Sequence, residues 1–243
     1  MADRYFVETP IAGGEARLVG AEAHHLAHVL RAKSGDEVTL FDGGGAEFPA
    51  RVERVGRSEI ELTVLSRQAV DRETRVRLTL GVALPKGDRQ RFLVEKAVEL
   101  GVARLVPLQT ERSVDRETPS ALERLRRAVI EASKQCGRNR LMEIAAPRKL
   151  VDYLADSTTT GAVRLFAHPG GKPFLRECEA SIANGDCPNF ILAVGPEGGF
   201  TDSELKFALS EEWEIVGCGE RILRVETAAL ALAAGVMLFS ARV

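Results

Sequence analysis

The chain has 243 residues, 45% of them hydrophobic and 28% charged, with a formal net charge of −2; this mixture excludes a disordered or fibrous chain and is long enough for a substantial core. No uninterrupted apolar stretch reaches the length of a bilayer span, and the N-terminus "MADRYFVETP" has no charged-then-apolar export pattern, so the expectation is a cytoplasmic protein without membrane contact. The four cysteines, Cys136, Cys178, Cys187 and Cys218, contain no C-x-x-C pair, which speaks for free thiols rather than a zinc knuckle or a disulfide framework.

The first 72 residues read as short strands separated by turns. "RYFVE", "ARLV", "EVTLFDG", "EFPARVERV" and "EIELTVLS" are brief, partly alternating and rich in β-branched or aromatic residues. A helix over 21–31 interrupts them. "DGGG" at 42–45 lies between two strands and predicts a hairpin turn, not a nucleotide loop. This pattern predicts a small β-barrel or sandwich over 1–72.

Over 73–243 strands alternate with long helices, the grammar of a mostly parallel, helix-covered α/β sheet. "RVRLTLGVAL" predicts a strand. "GDRQRFLVEKAVELG" predicts a helix with Leu93, Ala97 and Leu100 on one face and Gly101 as its stop. "ARLVPL" predicts the next strand, and "SALERLRRAVIEASKQCGR" a helix capped by Ser120 after Pro119. "AVRLFAH", "FILAVG" and "EIVGCG" read as buried strands, and "ETAALALAAGVMLFSA" as a closing helix.

Three features carry chemistry. Between Arg104 and Lys149 stand eleven Lys or Arg against six Asp or Glu, a local surplus suited to phosphate or to a solvated helix face. "GPEGGF" at 195–200 is a glycine turn between a strand and a helix, and "GCGERILRVETAA" at 217–229 is a second glycine loop after another strand. Open α/β sheets bind ligands at such carboxyl-end loops. No Lys-Ser or Lys-Thr follows the first turn, no G-x-G-x-x-G occurs, and Glu197 inside the turn would repel phosphate. A ligand that is not an anion is expected. Glu197 has two readings, a ligand contact or an anchor for the N–H groups of the following helix. Arg221 and Arg224 stand beside this loop, with an ion pair to Glu226 as the structural alternative. His24 and His28 share a helix face but lack a third and fourth ligand, so no metal site is expected.

With these residues in hand, "GPEGGF" and "GERILRVETA" resemble the two signature loops of the RsmE family, the 16S ribosomal RNA (uracil-N3) methyltransferases of the SPOUT superfamily. "HLAHVLR" at 25–31, "KGDRQRFLVEKAVELGV" at 86–102, "TERSV" at 110–114 and "EASKQCGR" at 131–138 resemble the family in the same order. The resemblance implies a PUA-like β-barrel for RNA, an α/β domain with a C-terminal trefoil knot, and a homodimer acting on 16S ribosomal RNA or the small ribosomal subunit. The cofactor implied is S-adenosylmethionine (SAM). Its site would comprise Phe166, His168, Val194, Gly195, Pro196, Glu197, Gly198 and Gly199, joined by Gly217, Gly219, Ile222, Leu223, Glu226, Thr227 and Ala228. RNA contacts would come from His25, Arg31, Lys86, Arg89, Arg112, Arg138 and Arg140. Arg138, Arg224 and Glu197 are the catalytic candidates, the arginines as cations beside a developing uracil anion. The rival chemistry, methylation at uracil C5, would need a cysteine nucleophile, for which Cys136 and Cys218 stand near the motifs.

Overall fold

The computed structural model describes residues 3–113, 118–156, 161–183 and 189–240. Cys187 and, in the basic segment, Val114, Asp115, Arg116 and Glu117 lie outside them. The chain forms two compact units, Met1–Glu73 with Ile130–Leu141, and Thr74–Val129 with Met142–Val243.

In the first unit β1 (Arg4–Phe6), β2 (Glu15–Val19), β3 (Glu37–Phe41), β4 (Phe48–Val55) and β5 (Glu59–Val64) form one sheet in the order β1-β3-β4-β5-β2. β1 and β3 run parallel, and the other pairs antiparallel. Alternating side chains point inward, so Leu18, Leu40, Val52, Ile60 and Leu62 gather with Tyr5 in one core, each aliphatic stabilising by about 1.5–3 kcal/mol when fully buried. The 42–45 turn joins β3 to β4 as expected, with Asp42 Oδ1 accepting the Gly44 N–H at 2.9 Å.

The helix expected over 21–31 is shorter and changes type. α1 (Gly20–His24) passes into a π-helical turn, His25–Val29, in which the Leu30 N–H reaches back to the His25 carbonyl. Arg31 then takes φ 56°, a left-handed conformation that ends the helix. His24 and His28 stack with ring centroids 4.7 Å apart, and no metal-holding cluster occurs among the described residues.

Buried charge holds residues 137–140 within this unit. Arg138 donates to both oxygens of Glu73 at 2.6 to 3.1 Å. Arg4 and Arg72 both bond Glu47, Arg4 also donates to Asn139 Oδ1 at 2.6 Å, and Asn139 donates to the Val70 carbonyl. Burial alone would raise the Glu47 carboxyl pKa, but the hydrogen bonds and charges of Arg72 and Arg4 outweigh it and hold it below the usual range.

The second unit is a parallel sheet of β6 (Leu78–Val82), β7 (Arg104–Gln109), β8 (Glu143–Ile144), β10 (Val163–Pro173), β11 (Phe190–Val194) and β12 (Glu214–Gly217), ordered β12-β10-β11-β6-β7-β8. The two-residue β9 (Arg148–Lys149) pairs with β7. All five residues of β11 are buried, as a central parallel strand requires. Around the sheet lie α2 (Asp88–Glu99), the first half of α3 (Pro119–Cys136), α4 (Leu150–Leu154), α5 (Phe174–Ala183), α6 (Asp202–Ser210) and α7 (Val225–Ser240). Gly101 follows α2 at φ 80° and stops it as expected. The cap of α3 is Thr118, not Ser120: Thr118 Oγ1 accepts the Ala121 N–H, and Pro119 takes the first helical position where its missing N–H costs nothing.

β10 runs five residues past the expected "AVRLFAH". Its register on β12 jumps at a bulge, so that Ala167 and Lys172 both oppose Val216. Gly171 permits this, since a Cβ there would lie 2.4 Å from the Val216 carbonyl carbon. The bulge sets His168 and Pro169 off the strand line. Because every strand of this sheet is parallel, the loops after β6, β7, β11 and β12 and the β10 bulge share one edge.

Candidate active site

Two cavities lie side by side along that carboxyl edge, both within the second unit. The first, about 290 Å³, sits at the ends of β10, β11 and β12. Its walls are the 195–200 turn, the 217–223 loop, the β10 bulge and the first turns of α7. The second, about 680 Å³, sits at the ends of β6 and β7, beside the start of α3. Pro196 and Glu197, from the loop after β11, line both cavities. β11 lies between β10 and β6, so its loop is the partition.

The first cavity is built mainly of backbone. At Gly217 an added Cβ would come within 3.1 Å of the His168 carbonyl and 3.2 Å of the Gly171 carbonyl, so glycine lets the loop and the bulge close on each other without displacing backbone. Gly198 is less constrained, as a Cβ there would meet only the Arg112 side chain at 3.4 Å. Phe200 lines the cavity and stacks on the buried Phe166, centroids 4.1 Å apart. Of the positions the resemblance assigns to a cofactor, all line this cavity except Phe166, which backs it, and Glu226 and Thr227. Sequence reasoning missed Ala167, Pro169, Phe200, Val216, Val225 and Leu232; the pair Gly170-Gly171 beside Pro169 was the available signal for the bulge.

Of the two readings of Glu197, the structure bears on the helix anchor. The helix-anchoring role belongs to Glu204, which forms a capping box with Thr201 at the start of α6 and also accepts the Glu111 N–H at 2.9 Å. "TDSE" at 201–204 carried that signal. Glu197 is instead half exposed and pairs with Arg89 at 3.1 Å. Arg89 also faces Glu226, at 3.8 Å from an Oε2 that is buried without a hydrogen-bond partner. Neither Arg221 nor Arg224 takes that partner. Arg221 lines the first cavity, while Arg224 is exposed and lends its carbonyl to the Ala228 N–H at the start of α7.

The remaining candidates separate. Lys86 and Arg89 line the second cavity, and Arg112 donates to the Gly198 carbonyl at 2.7 Å. His25, Arg31 and Arg140 are exposed on the first unit, where the Arg140 guanidinium packs against Gly45. Arg138 is buried in the first unit with Glu73 and is not among the residues lining either cavity. The surplus of basic residues is partly consumed, since Arg104, Arg126, Lys134, Arg138 and Arg148 all form ion pairs. Cys218 also lines the first cavity, and burial raises its thiol pKa.

Comparison with known proteins assigns the arrangement. The family described as RNA methyltransferase domain matches residues 72–237, and the RNA methyltransferase PUA domain matches 18–65. Ribosomal RNA small subunit methyltransferase E of Rickettsia conorii is 33% identical, over 88% of this chain and 86% of that protein. The chain belongs to the RsmE family of ribosomal RNA small subunit methyltransferases. The Bacillus subtilis RsmE is 28% identical over 93% of both chains. A Neisseria gonorrhoeae RsmE solved with S-adenosyl methionine superposes with a TM-score of 0.87 at 28% identity, covering 98% of both chains. A Legionella pneumophila protein solved with bound SAM gives 0.86 at 29% identity, over 100% of this chain and 98% of that one. The α/β fold with a PUA-like domain is therefore shared with RsmE structures.

Proposed function

We propose that this chain is a SAM-dependent methyltransferase acting on N3 of a uridine in 16S ribosomal RNA. The observation that carries the reading is that both glycine loops of the RsmE motifs line one cavity at the carboxyl edge of the sheet. The residues present fit SAM. Backbone of both glycine loops and the apolar Ile222, Leu223 and Leu232 surround the cavity, and the Glu197 carboxylate, which suits a sulfonium cation, stands in its wall with Arg221. The 195–199 and 217–223 loops would hold the cofactor, with Phe166 stacked behind Phe200.

When bound, SAM would supply an electrophilic methyl group, and the uracil N3 that receives it must give up its proton. The protein must hold the base in line and stabilise the charge that gathers on it as the proton leaves. Glu197, in the wall of the first cavity, remains in the proposed machinery; Arg224 is exposed and lines neither cavity, so only the resemblance speaks for it, and Arg138, bonded to Glu73, is assigned to holding the first unit together. Burial raises the Cys218 thiol pKa, which disfavours the thiolate that C5 methylation through this residue would need, and Cys136, the other candidate, lines neither cavity.

The first unit, with exposed His25, Arg31 and Arg140, is assigned to RNA. A trefoil knot near the C-terminus is what membership of the RsmE family implies for the second unit. A homodimer is supported by Leu175 on α5 and Leu238 on α7, which stay 58% and 67% exposed. No helix among the described residues is long and apolar enough to cross a membrane, and a cytoplasmic location follows from an rRNA substrate. Nucleoside analysis of small-subunit RNA treated with the protein and SAM should yield 3-methyluridine. A 5-methyluridine product, or none, would overturn the assignment.

A further inference from the structure

Arg89 stands in the first turn of α2, where the positive end of the helix dipole disfavours a cation, so the carboxylates around it decide where it rests. There are two of them. Glu197 meets it at 3.1 Å, and Glu226, from the first turn of α7, stands at 3.8 Å. The second distance is too long for a hydrogen bond, and the Glu226 Oε2 involved is buried without a hydrogen-bond partner. A carboxylate oxygen left unpaired in a poor solvent is costly. The Arg89 side chain is 38% exposed, and a small shift of its guanidinium would make the missing bond. The two carboxylates also differ in what they face. Glu197 stands in the wall of the first cavity, whereas Glu226 does not line it, although its neighbours Val225 and Ala228 do. A cation entering that cavity competes with Arg89 for Glu197 and repels Arg89, yet leaves the Glu226 oxygen open.

We propose that Arg89 is a latch operated by the charge of the cofactor and that Glu226 is its second seat: Arg89 rests on Glu197 beside a neutral ligand and moves onto Glu226 when a sulfonium occupies the first cavity. The inference rests on the SAM reading above and gives Glu226 a role exerted through Arg89. Glu226 is thus a positioning residue. Without its charge, seating the sulfonium would leave Arg89 beside a second cation with no carboxylate of its own; with it, two cations meet two carboxylates. Once the methyl group has left, the thioether is neutral and Arg89 returns to Glu197. Arg89 also lines the second cavity, so its movement changes the charge of that wall as the cofactor is used. The cofactor can drive this shift because its two forms differ in their attraction for Glu197.

The test uses the full chain and Glu226→Gln, which removes the charge and keeps the shape. Structures of the wild-type protein solved with SAM and with its thioether product should place the Arg89 guanidinium about 3 Å from Glu226 in the first and about 3 Å from Glu197 in the second. This comparison decides the point even where the variant fails to fold. By calorimetry Glu226→Gln should lose at least about fivefold in SAM affinity and bind the thioether within about twofold of wild type. The same substitution in an Arg89→Gln background should cost less than about twofold, since no arginine needs a second seat. Arg89 in one position in both complexes, equal losses of SAM and thioether in Glu226→Gln, or an undiminished loss in the Arg89→Gln background would overturn the inference. A wild-type protein that binds neither ligand would instead overturn the cofactor reading on which it rests.

Discussion

Arg138–Glu73 in the first unit and Arg89–Glu197 in the second are the same chemical pair in opposite settings. The first has side chains 5% and 19% exposed, the second 38% and 48%. An arginine buried against its carboxylate is out of reach of a ligand, and removing either partner strands the other in a poor solvent. A half-exposed pair on a cavity wall costs little to rearrange. Charge type therefore says nothing about role until burial is known, and here burial assigns one pair to stability and the other to the site.

Arg138→Ala should break this comparison most forcefully if it is correct. Stranding Glu73 is expected to cost about 3 kcal/mol, read as a lower denaturation midpoint, while the SAM affinity measured calorimetrically on the folded fraction stays at wild type. An unchanged midpoint with lost turnover would return Arg138 to catalysis.

Acid should act on the same unit with a smaller effect. The folded Glu47 carboxyl lies below its unfolded value of 4.5, so its contribution to stability is complete above that pH and is lost as pH falls through the lower folded value. Glu47→Gln should remove this acid sensitivity from denaturation curves recorded between neutral pH and pH 3, and a variant curve parallel to wild type would refute the linkage.

The cavity glycines sharpen the contrast within the second unit. Gly217→Ala meets backbone carbonyls of the β10 bulge, whose displacement would reshape the cavity, and should weaken SAM at least tenfold, about 1.4 kcal/mol. Gly198→Ala meets only the flexible Arg112 side chain and should cost less. Equal losses in the two titrations would mean that close backbone approach is not what shapes the cavity.

The smallest effect concerns charge across the partition. Glu197 is the carboxylate in the wall of the first cavity, where its charge favours the sulfonium of SAM over its neutral thioether product. Glu197→Gln should weaken SAM severalfold and leave the thioether nearly unaffected. Parallel titrations in which both ligands weaken together would assign Glu197 to shape instead.

Much of this was legible in the chain. Local patterns carried the elements: β11 is five apolar residues between turn signals, α2 ends where Gly101 allows a left-handed residue, and "DGGG" could only be a hairpin between two alternating runs. Glycine loops after strands marked the first cavity, because carboxyl-end loops in a parallel sheet converge wherever the strand order places them side by side. The failures share a cause. The β10 bulge depends on Gly171 meeting Val216 across a strand pair, and the cap of α3 on which hydroxyl faces its first N–H groups. The roles of Arg89 and Arg138 depended on burial and partners from distant segments. Sequence by itself determined which segments are strands, helices and ligand loops, since those follow from periodicity and backbone preference among near neighbours. Only the tertiary structure decided that β11 lies between β10 and β6, so that one loop divides two cavities, and which arginine is walled in with its carboxylate, because solvent exposure and long-range pairing are properties of the packed chain.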